Sequence, residues 1–132
     1  MDIGGRTILI LGGAGLVGMA VARKLLELTP ARVVLGGLTQ REAEEAIAAL
    51  EEDNPGGSAL EAVWGDMFLP AALKDRRRRD VLADPAARAM VLDEMYGNLT
   101  DEVVERSALG ALLLRVHPDI IVDCVNTATA FA

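Results

Sequence analysis

Four glycines crowd the stretch "LGGAGLVG": Gly12, Gly13, Gly15 and Gly18. The chain then runs straight into an alanine- and leucine-rich segment. A backbone this bare suits a place where another group must come close to the main chain. In the spacing Gly13-x-Gly15-x-x-Gly18 the first glycine serves a tight turn, the second lets a phosphate approach, and the third packs a helix against a strand. A dinucleotide pyrophosphate makes these demands at a strand-to-helix turn. The backbone N–H groups of Ala14, Gly15, Leu16 and Val17 would then donate to phosphate oxygens within the favourable field of the helix dipole. The same glycines also fit Gly12-x-x-Gly15-x-x-Gly18. No Gly-Lys-Ser or Gly-Lys-Thr step competes as a mononucleotide P-loop.

The elements that would position this loop read from hydrophobic pattern. Thr7–Leu11, "TILIL", is a short apolar run suited to a strand covered on both faces of a parallel sheet. From Leu16 to Leu28 the residues Val17, Val21, Leu25 and Leu28 recur at helical spacing, and Thr29–Pro30 ends the pattern. "ARVVLGG" supplies a second strand. Thr39 and Glu42 form a capping box that opens the acidic helix "QREAEEAIAALEE", and Asn54–Gly57 closes it. "ALEAVWGD" gives a third strand and "PDIIVDCV", Pro118 to Val125, a fourth, expected to be buried. Between them, residues 67–117 predict two or three helices, suggested by "PAALKDRRRRDVL", by Asp84–Pro85 as cap and first helical residue, and by Thr100 ahead of "DEVVERSALGALLLRV". The predicted fold is a Rossmann-like three-layer α/β/α arrangement, an incomplete doubly wound fold with a parallel sheet of about four strands in the order 3-2-1-4.

Composition narrows the partners. Of 132 residues, 52% are apolar, enough for one domain with a core. Thirteen basic against twenty acidic residues give a formal charge of −7, which argues against nucleic acid or an anionic membrane as partner. The single cysteine, Cys124, rules out an internal disulfide and a cysteine-rich metal cluster, so no metal site is expected. The longest apolar and glycine run, Ile8–Ala22, is too short and too glycine-rich to span a membrane, and a cytoplasmic location is expected. The run "KDRRRRD" reads as a solvated helix face flanked by its own acids.

With the glycine spacing, "GDM" at Gly65–Met67 and "PDIIVDCVNTA", the chain resembles the extended short-chain dehydrogenase/reductase family, which includes nucleotide-sugar epimerases and dehydratases. The saccharopine dehydrogenase-like reductases share a similar glycine loop and are the second choice. The resemblance implies that Asp66 contacts the adenine amino group, that Met67 borders the adenine, and that Asn126 approaches the nicotinamide side. The helical segment is longer than that family usually carries.

Two features depart from the pattern. A site that prefers NAD ends its second strand in a carboxylate for the ribose hydroxyls, whereas this chain has Gly36–Gly37. With Thr39 and Arg41 close behind, the charge pattern leans towards NADP as cofactor over NAD. The family's proton-transfer pair is a tyrosine with a lysine four residues later, but Tyr96 is followed at that spacing by Thr100. No catalytic residue is therefore assigned, and enzyme activity is referred to the parent protein as an NAD(P)-dependent oxidoreductase or epimerase. His117 reads as a surface residue and Cys124 as a small core residue. Asp123, late in a strand expected to be buried, is a secondary candidate because a buried carboxylate needs a partner or a cleft. Residues 1–132 are expected to form one NAD(P)-binding domain whose substrate-binding part is missing, since "NTATAFA" follows a predicted central strand directly. Strand four would then be an open edge that favours self-association. A non-catalytic dinucleotide-binding regulatory or scaffold module is the alternative.

Overall fold

A computed structural model describes residues 2–126. The order of elements is β1 (Thr7–Leu11), α1 (Leu16–Leu26), β2 (Arg32–Gly37), α2 (Gln40–Asp53), β3 (Ala59–Trp64), a single 3₁₀ turn (Ala71–Leu73), α3 (Arg78–Ala83), α4 (Pro85–Tyr96), α5 (Asp101–Arg106), α6 (Ala108–Val116) and β4 (Ile120–Asp123). The expectation drawn from "NTATAFA" falls on residues 127–132 and lies outside the described residues.

The four strands form one parallel sheet in the order β3-β2-β1-β4, as the sequence predicts. In register, Ile8 sits between Val33 and Ile120, and Val33 is paired with Leu60. One sheet face therefore carries Ile8, Ile10, Val33 and Leu35, which pack with Ala22 and Leu26 of α1 and Ala46 and Leu50 of α2. Burial of the core strands β1 and β2 is nearly complete, which accounts for their continuous apolar composition. The helices α1 and α2 are held together at their edges by Arg23 Nε, which donates to Asp53 Oδ2 at 2.7 Å, a half-exposed pair of modest value.

The chain divides into two compact units, residues 1–64 with 117–132, and residues 65–116. The first contains the sheet, α1 and α2. The second has its own small core of Leu69, Leu73, Val81, Ala87 and Val91.

Two expectations are corrected. β4 is not a buried strand: its residues alternate, with Ile121 49% exposed and Asp123 exposed. Its single sheet partner among the described residues is β1, so it lacks the two-sided packing of a central strand. The helical segment holds four short α-helices rather than two or three. The predicted continuous helix after Thr100 breaks at Ser107, which forms an isolated antiparallel bridge with Pro70 and whose Oγ accepts from Gly110 N at 3.0 Å. Gly110 permits the corner, because a Cβ there would lie 2.6 Å from Ser107 Oγ and closer still to Val104 O. Asp84 caps α4 as expected, its Oδ1 accepting from Ala86 N at 3.0 Å and Ala87 N at 3.3 Å with Pro85 in the first turn.

Candidate functional site

The chain runs from β1 outwards to β2 and β3 on one side, then returns to place β4 on the other. The order of the sheet thus reverses at the carboxyl end of β1, where open α/β sheets bind ligands. The glycine loop occupies that point, and each glycine does a different job.

Gly12 takes φ +66°, the left-handed region. A Cβ there would come 2.9 Å from the carbonyl of Cys124 and 3.0 Å from Val125 N, so the turn passes directly against the end of β4. The positive φ falls at Gly12 and not at Gly13, which makes Gly12-x-x-Gly15-x-x-Gly18 the spacing that matches the turn. Gly13 instead makes room for the β2 side chain Leu35, whose Cγ would stand 2.6 Å from an added Cβ. Gly18 brings α1 down onto the loop: a Cβ there would lie 2.5 Å from Gly13 Cα and closer to Gly12 O.

Gly15 differs from the other three. It is the N-cap of α1 at φ −76°, ψ 171°, a conformation open to any residue, and an added Cβ would meet only Gly12 O at an ordinary 3.4 Å. Neither packing nor backbone geometry within the chain requires glycine there. Gly15 also offers no side-chain cap, and the first turn of α1 contains no acid. Its positive dipole end is therefore uncompensated by the helix itself. The N–H groups of Ala14 and Gly15 are used within the fold, donating to Gly36 O and Gly12 O at 3.2 Å each. That removes them from the donors expected for phosphate. The donors without an intrahelical partner by position are Leu16, Val17 and Gly18. An uncapped N-terminus beside an open Cβ position fits the pyrophosphate of a dinucleotide in size and sign.

Gly36 and Gly37, which stand where an NAD-type carboxylate was sought, are packing residues. Gly36 O receives the Ala14 N–H, and a Cβ on Gly37 would press Ala43 N at 3.0 Å and Ala14 Cβ at 3.2 Å. Thr39 forms the predicted capping box: its Oγ1 accepts from Glu42 N at 3.3 Å, and Glu42 Oε2 accepts from Thr39 N at 3.2 Å. Arg41 lies exposed on the first turn of α2 and pairs with Glu45 at 3.1 Å. Asn126 is exposed and follows Val125, the residue against which Gly12 turns, so it stands at the same end of the sheet as the loop.

Asp66 and Met67 belong to the second unit. The Asp66 carboxylate, 11% exposed, accepts from Arg78 Nε at 3.1 Å and Nη2 at 2.5 Å, while its other oxygen accepts from Phe68 N at 3.0 Å. This side chain, expected at an adenine, is thus engaged in an ion pair with Arg78, both guanidinium nitrogens donating to the one oxygen Oδ2, that the sequence pattern did not foretell. The signal was present in the arginine run, read there as a solvated face.

Asp123 does not need the cleft that burial would have demanded, since it is exposed and its Oδ1 accepts from Val125 N at 2.9 Å. Cys124 is half-buried against the sheet core, and burial pushes its thiol pKa up, with the Asp123 charge adding to the effect, which suits a packing residue better than a nucleophile. His117 is exposed, with φ 47°. Among the described residues no group of three or more metal-ligating side chains gathers.

The sheet order together with a glycine loop at its switch point defines a Rossmann-like α/β fold. No protein-family model matches the chain. Its sequence is 38% identical over 106 residues to a phenolphthiocerol/phthiocerol polyketide synthase protein of Mycobacterium tuberculosis, and equally to its counterpart in Mycobacterium bovis; the match covers 74% of this chain. The chain spans about 5% of the length of these curated relatives. Similar solved structures include a dehydrogenase of Burkholderia cenocepacia with bound NADP, at 26% identity and TM-score 0.44, covering 54% of this chain and 26% of that one. L-sorbose reductase of Gluconobacter frateurii complexed with NADPH and L-sorbose follows at 18% identity and TM-score 0.48, covering 88% and 48%. A 3-oxoacyl-[acyl-carrier protein] reductase of Brucella melitensis with bound NAD has 14% identity and TM-score 0.48, covering 92% and 53%.

Proposed function

We infer that this chain is the cofactor-binding portion of a short-chain dehydrogenase/reductase, and that the Gly12–Gly18 loop holds the pyrophosphate of NADP. The observation that carries the reading is Gly15. Three of the four loop glycines answer to close contacts inside the chain, while a Cβ on the fourth would make one ordinary contact, with Gly12 O at 3.4 Å, beside an uncapped helix end. Leu16, Val17 and Gly18 would donate their N–H groups to the phosphates. When bound, the nicotinamide dinucleotide supplies the hydride chemistry. The role of this chain is to bind and orient it, with Asn126 at the nicotinamide side.

The strand-two glycines leave no carboxylate to repel a 2′-phosphate, and the exposed Arg41 guanidinium is free to exchange its surface partner Glu45 for that phosphate. The similarity to a polyketide synthase protein favours a parent protein that works in polyketide synthesis over a sugar epimerase. Tyr96 lacks a lysine four residues on, so the proton donor for that reaction is not assigned to residues 1–132.

Titration calorimetry with NADP and with NAD tests this reading. Binding of NADP that is tighter than that of NAD and is lost in Gly15→Trp supports it, as does an Arg41→Ala variant that weakens NADP about tenfold while leaving NAD unchanged, the scale of one charge-assisted phosphate contact. Equal NADP affinity in wild type and Gly15→Trp would refute the placement of the phosphates.

A further inference from the structure

The arginine run of the second unit is not evenly committed. Arg78 is taken by Asp66, and Arg76 Nη1 donates to Asp84 Oδ2 at 3.2 Å. Arg79 is 85% exposed, and its nearest acid is the adjacent Asp80 at 3.8 Å. It lies one turn before Leu82 on α3, and Leu82, 46% exposed, has its carbonyl held by Arg88 Nη1 of α4 at 3.0 Å. Arg88 shares a side of α4 with Leu92 and Met95, at i+4 and i+7, which are 47% and 64% exposed and run beside the buried row of Ala87 and Val91. Two guanidinium groups, neither with a carboxylate at hydrogen-bond distance, therefore stand at one end of an apolar row made by Leu82, Leu92 and Met95.

We propose that this surface of α3 and α4 docks an amphipathic helix of a partner protein, whose acidic residues at one end meet Arg79 and Arg88 and whose apolar side covers Leu82, Leu92 and Met95. Charge selects the occupant. Residues 65–116 carry eight basic and nine acidic side chains, and the remainder five and eleven. Within the second unit the cations are concentrated further: residues 74–88 hold six basic side chains against three acidic ones. The surface is thus a local cation-rich spot on an acidic chain. A helix about 10 Å wide can lie on that spot alone, because exposed charges beyond a Debye length of about 8 Å are largely screened. A nucleic acid duplex or an anionic membrane is broad enough to meet the acidic remainder of the chain and is opposed by it. A second copy of the same surface offers cations to cations. The thioether of Met95 and the exposed leucines suit the apolar side of a helix laid along α4. The contact is smaller than the roughly 800 Å² per partner of a standard interface, so binding in the range of tens of micromolar is expected.

Fluorescence anisotropy of the full 132-residue chain with labelled synthetic helices of about 16 residues tests the proposal. The probe has leucines along one side and glutamates at one end. One control replaces its glutamates by lysines, and another scrambles the same composition so that no apolar side forms. The acidic helix should bind with a dissociation constant of about 10–100 μM, at least about tenfold more tightly than either control, and more weakly as salt rises. Arg79→Glu and Leu92→Gln should each weaken it at least about fivefold. Both positions are exposed, and an unchanged circular dichroism melt verifies that each variant is folded. Gly15→Trp should bind the helix like the wild type, which separates this surface from the cofactor site. Absence of binding up to about 1 mM, equal binding of the lysine or scrambled helix, or unchanged binding by the folded variants would overturn the proposal. So would binding of anionic vesicles or duplex DNA that is tighter than that of the acidic helix and is lost in Arg79→Glu, since the cations would then serve an extended polyanion.

Discussion

Substituting alanine at two glycines of the loop should have opposite outcomes, because their surroundings differ. At Gly18, inside α1, alanine would gain up to about 1 kcal/mol of helix propensity. It would also force a methyl group to within 2.5 Å of Gly13 Cα, and closer to Gly12 O, which is backbone that cannot swing aside. Overpacking of this kind costs about 1–3 kcal/mol, so the clash wins and Gly18→Ala should be destabilised. Gly15→Ala meets one atom at 3.4 Å and should remain within about 0.5 kcal/mol of wild type. Denaturant unfolding of the two variants measures the contrast, and similar losses in both would show that Gly15 also has a structural duty. The sequence marks all four glycines equally. What separates them is the positive φ at Gly12 and the identity of the atoms above each Cα, and neither is a property of local pattern.

At the level of elements, β4 is attached to β1 by more than ladder bonds. Asp119, just ahead of β4, accepts from Thr7 N at 2.8 Å through Oδ2 and from Arg6 at 3.3 Å through Oδ1. The Thr7 N–H above all, and then the Arg6 guanidinium, hold its carboxyl below the usual carboxylate range. A depressed folded-state pKa makes the ionised form the stabilising one. The contribution is complete above the unfolded-state value, near pH 4, and disappears as the pH falls through the lower folded-state value. Asp119→Asn should therefore flatten the acid limb of the stability profile below about pH 4, as thermal melts from pH 2 to 7 would reveal. A variant with an unchanged acid limb would contradict the role of this anchor. Such long-range ties also explain where sequence reading stopped. Strands β1 to β3, the Thr39 capping box and the Asp84–Pro85 start of α4 depend on neighbours in sequence and could be read directly. The break at Ser107 depends on its bridge to Pro70, and the exposure of β4 depends on its place beside β1 as its single sheet partner among the described residues. The arginine run conceals one member, Arg78, that is committed to Asp66 twelve positions earlier.

Over the whole molecule, no helix among the described residues is long and apolar enough to cross a membrane, and the negative charge excess lies with the unit that holds the glycine loop. An anionic cofactor binding there must rely on local donors, the uncapped N-terminus of α1 and the Arg41 guanidinium, and not on the overall field. The proposed pyrophosphate site therefore rests on Gly15, a position whose own surroundings tolerate a side chain. Thermal melting of wild type and Gly15→Trp, each with and without NADP, examines that position most directly. The account predicts equal melting temperatures without cofactor, a rise of several degrees for the wild type at NADP concentrations about 100 times the dissociation constant, and no rise for the variant. A variant that melts well below wild type in the absence of NADP, or one that gains as much from NADP as wild type does, would contradict it.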